Sequence, residues 1–284
     1  MIQFTALDID RALKILYFPT PEPVLKHYNA PYLLTEEQVR FFQEEGYVYL
    51  PEVVNRESLA YLQRVIQAAV LLRKKDDDRA LHEKSAYEQS FLQCGFLCWD
   101  FKPIKDFVFG KRFAGLARDL LQAEHVRLWH DQALFKEPGG RATDVHIDSS
   151  YWPIDRPQLS VTLWLALNPV PPEKGCLYFY PKSHLLEKHE YVDIFNKPHF
   201  PQALSREKQV YVPLNPGDAT FHSGLLYHGA GENKTDRMRE GMTVIYIADG
   251  LRFDASDARN RTHTSCQGLE DGDIIDTRYT PILI

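Results

Sequence analysis

From about His125 onward the chain breaks into eight short β-prone runs separated by Gly, Pro, Asn and Asp, and this punctuation narrows the possible folds more than any other feature. The runs cover residues 126–136, 143–148, 159–167, 176–180, 208–213, 218–222, 226–230 and 242–248. Strands this short, joined by irregular loops, bury their apolar faces by closing into a jelly roll. Upstream, apolar residues recur at helical spacing instead. Thr35, Glu36, Glu37 and Gln38 have the form of a capping box ahead of Val39, Phe41 and Phe42; Ser58 is expected to cap a helix reaching Leu72; residues 111–123 read as a further helix. Between them, residues 47–50 read as a short strand ended by Pro51. The expected fold class is α+β: a double-stranded β-helix (jelly-roll, cupin-like) barrel with N-terminal helices packed on one face. A single domain is expected over residues 1–284, with a mainly helical layer (1–123), the jelly-roll core (124–250) and a C-terminal extension (251–284).

At 44% hydrophobic and 25% charged residues, the 284-residue chain has apolar material for a sizeable core, which argues against disorder. A formal net charge of −6 offers no basic footprint, so neither nucleic acid nor an anionic membrane surface is an expected partner. Cys94, Cys98, Cys176 and Cys266 are too few for a disulfide scaffold and lack zinc-site spacing, so reduced core thiols are expected. The first ten residues lack a basic stretch followed by an apolar one, and no apolar run approaches a membrane span; a cytoplasmic location is the expectation.

The chemistry concentrates in two places. In Val145-His146-Ile147-Asp148, side chains two apart on a strand project to the same face, so His146 and Asp148 can share a metal. One further imidazole would complete the two-His-one-carboxylate triad that holds iron(II) on one face and leaves positions open. The stretch from Phe221 to Asn233 supplies two candidates, His222 and His228. Eleven residues beyond His228 stands Arg239, whose planar guanidinium suits a carboxylate and stays charged when buried.

Taken in order, His146-Ile147-Asp148, His228-Gly229-x-Gly231-x-Asn233 and Arg239 resemble the phytanoyl-CoA dioxygenase family of iron(II)- and 2-oxoglutarate-dependent oxygenases. The stretch His130 to Gly140, Trp164 eighteen residues after His146, the turn Pro181-Lys182-Ser183-His184 and the tail from Gly272 extend the likeness. The resemblance implies that His146, Asp148 and His228 hold iron(II), that Arg239 anchors the distal carboxylate of 2-oxoglutarate, and that Trp164 and Gln132 line the co-substrate pocket. His222 then becomes a neighbour of the site or a core histidine. It also implies oxidation of a small organic substrate by O2, by hydroxylation, desaturation or demethylation, with succinate and CO2 released and ascorbate as an accessory reductant. Halogenation is not implied, since Asp148 occupies the position that related halogenases leave to a small residue. Two departures stand out: Ala230 where many members carry serine, and Lys182 in place of a turn glycine.

For the substrate, the expected contacts are Tyr151 and Trp152 at the cavity rim, Gln93 reaching in from the helical layer, and Lys136 near its strand end. Residues 185–209, rich in His, Lys, Pro and Phe, have the composition of a lid. Two alternatives remain: a jelly-roll metal enzyme that works without 2-oxoglutarate, and a relative that binds without turning over.

Overall fold

A computed structural model describes residues 7–257 and 262–284; residues 1–6, where the chain's start was read, and 258–261 within the C-terminal extension lie outside the described residues. Helices dominate the first part: α1 (Ile9–Tyr17), α2 (Glu22–Asn29), α3 (Glu36–Glu45), α4 (Arg56–Arg73), α5 (Ala86–Ser90), α6 (Lys102–Val108) and α7 (Lys111–Leu121). Strands β1 (Tyr47–Leu50) and β2 (Leu92–Gly95) lie among them, followed by β3 (Val126–Lys136), β4 (Thr143–His146), β5 (Ser160–Ala166), β6 (Leu177–Phe179), β7 (Val210–Val212), β8 (Ala219–Ser223), β9 (His228–Ala230) and β10 (Arg239–Ala248). Among the described residues no helix is long and apolar enough to cross a membrane, and the four cysteines are free and buried.

Local chemistry explains the helix ends. Thr35 Oγ1 accepts from Gln38 N at 3.1 Å while Gln38 Oε1 accepts from Thr35 N at 2.9 Å, closing the expected capping box. The cap of α4 is Asn55 rather than Ser58: Asn55 Oδ1 accepts from Ser58 N at 2.9 Å. A capping oxygen reaches the amide two or three residues ahead, so it must sit before the first turn, and Ser58 is already inside it.

The strands form two antiparallel sheets, a jelly roll in the order β1-β8-β5-β10-β3-β2 and β4-β9-β6-β7. On the larger sheet, Val161, Leu163 and Leu165 of β5 and Met242, Val244 and Tyr246 of β10 join Leu62, Val65 and Ile66 of α4 in one apolar core. Each such side chain, fully buried, contributes about 1.5–3 kcal/mol. The alternate residues Thr162, Trp164 and Thr243 face a cavity instead.

Strand β2 was not expected. Its four residues are too few to reveal a period of two, and it exists because Leu92 to Gly95 pair with Phe135 to Gln132 at the free edge of β3. Gln93 therefore comes from a sheet edge, not from the helical layer. A bulge in β3 is equally invisible in the sequence: Leu128 pairs with Tyr246 and His130 with Ile245, leaving Trp129 as the extra residue. It resets the alternation, so Leu128 packs toward the helices while His130 turns into the cavity. At the Pro181 turn, Lys182 adopts φ 66°, a conformation that favours glycine.

Candidate metal centre

The register of the smaller sheet assembles the centre. His146 ends β4 opposite His228, the first residue of β9. The strand stops at His146, two residues sooner than expected, but Ile147 remains extended (φ −117°, ψ 136°) before a 3-10 turn over Asp148–Tyr151. That single extended residue carries the alternation to Asp148. Ile147 joins Val145, Tyr180 and Tyr227 in a separate apolar cluster.

One ligand atom from each of His146, Asp148 and His228 lies within 4.8 Å of the others. Asp148 Oδ1 is 3.6 Å from Nε2 of both histidines, too far for hydrogen bonds and suited to a shared cation. His146 Nδ1 lies 2.8 Å from Asp144 O and His228 Nδ1 3.0 Å from Leu226 O. A carbonyl only accepts, so each Nδ1 carries the proton and each Nε2 presents its lone pair. The other Asp148 oxygen is taken: Oδ2 accepts from Thr162 Oγ1 at 2.7 Å and lies 3.1 Å from His222 Nε2. His222 thus holds the carboxylate's outer oxygen and is not one of the three converging ligand atoms.

Burial and the neighbouring charges act in opposite directions here. Burial pushes the Asp148 carboxyl up, but His228, His146 and His222 together hold it well below the carboxylate range. Burial pushes His228 down to about 3 against the opposing pull of Asp148, so its imidazole is neutral at neutral pH.

The cavity around these groups has a volume of about 200 Å³ and is walled by both sheets, by Ile194 and Phe195 of the irregular segment before β7, and by His263 of the C-terminal extension. Arg239, 1% exposed, opens β10 and faces into it. Its NH1 donates to Gly175 O at 2.8 Å and its Nε is buried without a partner. Among the described residues no carboxylate acts on it, and burial pushes its pKa down to about 10. The guanidinium lies 5.3 Å from the Trp164 ring centroid. Gly241 makes that approach possible, since a Cβ there would run into the indole. An unpaired guanidinium in a closed cavity is what a carboxylate ligand requires.

Of the residues singled out in the sequence, Gln93, Gln132, His146, Asp148, Tyr151, Trp152, Trp164, His228 and Arg239 all line this cavity. Gln93 Nε2 donates to Gln132 Oε1, and Tyr87 OH donates to Gln93 Oε1 at 2.7 Å. Tyr151 OH donates to Val192 O at 2.6 Å, tying the cavity to the segment expected to be a lid. Lys136 is a correction: it is absent from the lining, and it is fully buried rather than solvated. It pairs in register with Arg239 and so shares its face of the sheet, but its long side chain runs past the cavity, where Nζ donates to Arg141 O and to Thr143 Oγ1, the latter at 3.3 Å. Tyr87, Phe91, Thr143, Thr162 and His263 line the cavity without having been singled out. Thr143, Thr162 and Phe91 stand within three residues of His146, Trp164 and Gln93 and share their strands or approaches; Tyr87 and His263 had no nearby signal.

A family model described as "Phytanoyl-CoA dioxygenase (PhyH)" matches residues 42–241. Methylphosphonate hydroxylase of Gimesia maris is 24% identical over 222 residues, covering 76% of this chain and 81% of the relative. The peroxisomal phytanoyl-CoA dioxygenase of Homo sapiens is 24% identical over 245 residues, covering 78% and 70% respectively. Among solved structures, the non-heme alpha-ketoglutarate-dependent carbocyclase SnoK from nogalamycin biosynthesis superposes with a TM-score of 0.74 at 25% identity, covering 89% of this chain and 99% of that one.

Proposed function

The chain belongs to the phytanoyl-CoA dioxygenase family of iron- and 2-oxoglutarate-dependent oxygenases, and from that premise we propose that His146, Asp148 and His228 hold its iron(II) while Arg239 receives the distal carboxylate of 2-oxoglutarate. The single observation carrying this reading is the pairing of three converging ligand atoms with a buried guanidinium that has no carboxylate partner, both facing one cavity.

The protein's own groups have separable tasks. His146 and His228 keep Nε2 free by giving Nδ1–H to their own chain. Thr162 and His222 hold Asp148 Oδ2, which leaves Oδ1 for the metal. Arg239 positions the co-substrate, with Trp164 as the floor beneath the guanidinium and Gln132 beside it. Ala230 brings no hydroxyl, but Thr143, its register partner across β4 and β9, lines the same cavity and supplies one. When bound, iron and 2-oxoglutarate would activate O2, the oxidant, with succinate and CO2 as by-products. Tyr151, Trp152 and Gln93 orient a small-molecule metabolite, of the kind met in secondary metabolism, for hydroxylation, desaturation or demethylation. We infer that residues 1–284 act as one catalytic unit, since Tyr87 from the helical part and His263 from the C-terminal extension share the cavity.

Anaerobic addition of iron(II) and 2-oxoglutarate should produce a weak visible charge-transfer band, and a substrate screen with ascorbate should give succinate. Arg239→Ala should weaken 2-oxoglutarate by roughly 100-fold, about 3 kcal/mol for a buried charge-assisted pair. Unchanged turnover in that variant would hand the reaction to a jelly-roll metal enzyme that does not use 2-oxoglutarate. Absence of both band and succinate would mark a binding protein.

A further inference from the structure

The cavity has two poles. Arg239 and His130 lie on its walls at register positions six residues apart along β10, which separates them by about 20 Å. His222, Thr162, Ile245 and His130 form one transverse row across the larger sheet, so His130 stands level with the two groups that hold Asp148.

The surroundings of His130 are rings. Its own ring lies 5.7 Å from that of His263 and 6.3 Å from that of Trp152. A second cluster joins Phe195 to Tyr87 at 4.4 Å and to Tyr151 at 5.4 Å. Arg239 and Asp148 are the only lining residues among those described that carry formal charge, apart from the imidazoles. Burial pushes His130 down to about 4 and His263 to about 3, which keeps both neutral at pH 7. Once Arg239 is committed to the co-substrate and Asp148 to the metal, no cation remains to receive a carboxylate or phosphate, and desolvating such a group there would go uncompensated. His130, 8% exposed, has Nδ1 buried without a hydrogen-bond partner. The β3 bulge at Trp129 is what turns this ring inward, and an unsatisfied imidazole in a ring-lined recess is a site for a hydroxyl or carbonyl.

We propose that this recess receives an uncharged, ring-bearing organic substrate, stacked between the two aromatic clusters and oriented by a hydrogen bond to His130. The proposal deepens the assignment of the centre given above and rests on it, because Arg239 must already be spoken for. His130 is a positioning residue for the substrate, and Phe195 is the residue of the lid segment that determines shape.

Calorimetric titration of the full chain, both metal-free and loaded anaerobically with iron(II) and 2-oxoglutarate, can use three probes: 2-naphthol, 2-naphthoate and hexanoyl-coenzyme A. The expected result is 2-naphthol binding at least tenfold tighter than either anion in the loaded form, and a narrower gap to 2-naphthoate in the metal-free form, where Arg239 is free. His130→Phe, which keeps the ring and loses the hydrogen bond, and Phe195→Ala should each weaken 2-naphthol about tenfold. His130→Gln should recover most of the loss, and none of the three variants should shift the 2-oxoglutarate titration. Equal or tighter binding of an anion to the loaded form, or no effect of Phe195→Ala, overturns the proposal. Loss of the visible band with 2-naphthol selectivity retained would instead refute the metal centre.

Discussion

Both sheets line the cavity, yet they are built on different terms. In the six-stranded sheet β3 runs for 11 residues and β10 for 10, every residue of β10 is buried, and one face is packed against the helices. In the four-stranded sheet no strand exceeds four residues and β7 is largely exposed. Yet the smaller sheet carries His146 and His228. Strands of three residues have little stability of their own, so the ligand geometry depends on bonds reaching across from the larger sheet, Thr162 and His222 to Asp148. Stability is thus concentrated in the larger sheet, while the two imidazoles that face the centre sit in the smaller one, and the two are joined at one carboxylate.

The sharpest test of that division exchanges two histidines, one per sheet. His228→Ala should abolish iron binding, whereas His222→Ala should retain iron with roughly 10–100-fold weaker affinity, as expected for a group that orients a ligand. Metal content after dialysis reads both, and iron lost from the His222 variant but kept by the His228 variant would reverse the assignment. A smaller contrast concerns stability. Leu163→Ala, at a fully buried position of β5, should cost about 2–5 kcal/mol, while Val212→Ala, at the one half-buried position of the exposed β7, should cost about 1 kcal/mol. Urea midpoints that fall equally would mean the smaller sheet bears as much of the fold as the larger.

A pH dependence tests the one lysine buried in β3. Burial, with Arg239 and Arg141 nearby, pushes Lys136 from 10.5 down to about 6. Between those values the unfolded chain binds a proton that the folded chain does not, so stability should rise as pH increases from about 6 toward 10, by at most about 1.4 kcal/mol per unit. Lys136→Met should flatten that rise. Denaturation at pH 7, 8 and 9 gives the slope, and identical slopes in both proteins would mean that the ammonium stays charged inside the sheet.

Much of this was readable before any coordinates. The Thr35 capping box, the full extent of β3 and the pairing of His146 with Asp148 rest on short-range spacing, which a linear chain displays directly, whereas His228 and Arg239 were singled out through the family resemblance. Strand β2 was not readable, because four residues become a strand only when β3 offers an edge. The pocket role expected for Lys136 failed for a related reason: strand alternation names a face, but not what the tip of a long side chain will find there. Tyr87 and His263 had no motif at all, and they meet the centre only through folding.

What the sequence by itself determined was the list of groups able to bind a metal and a carboxylate, along with the jelly-roll frame, because strand punctuation and motif spacing are local properties. What only the tertiary structure decided was what the other imidazole, His222, does: it holds the far oxygen of Asp148 while His228 faces the near one. His222 and His228 are six residues apart in the chain, and their roles separate because β8 pairs into one sheet and β9 into the other. The same holds for His130, whose entry into the cavity depends on a single extra residue in β3, a bulge defined by the partner strand rather than by the residues it contains.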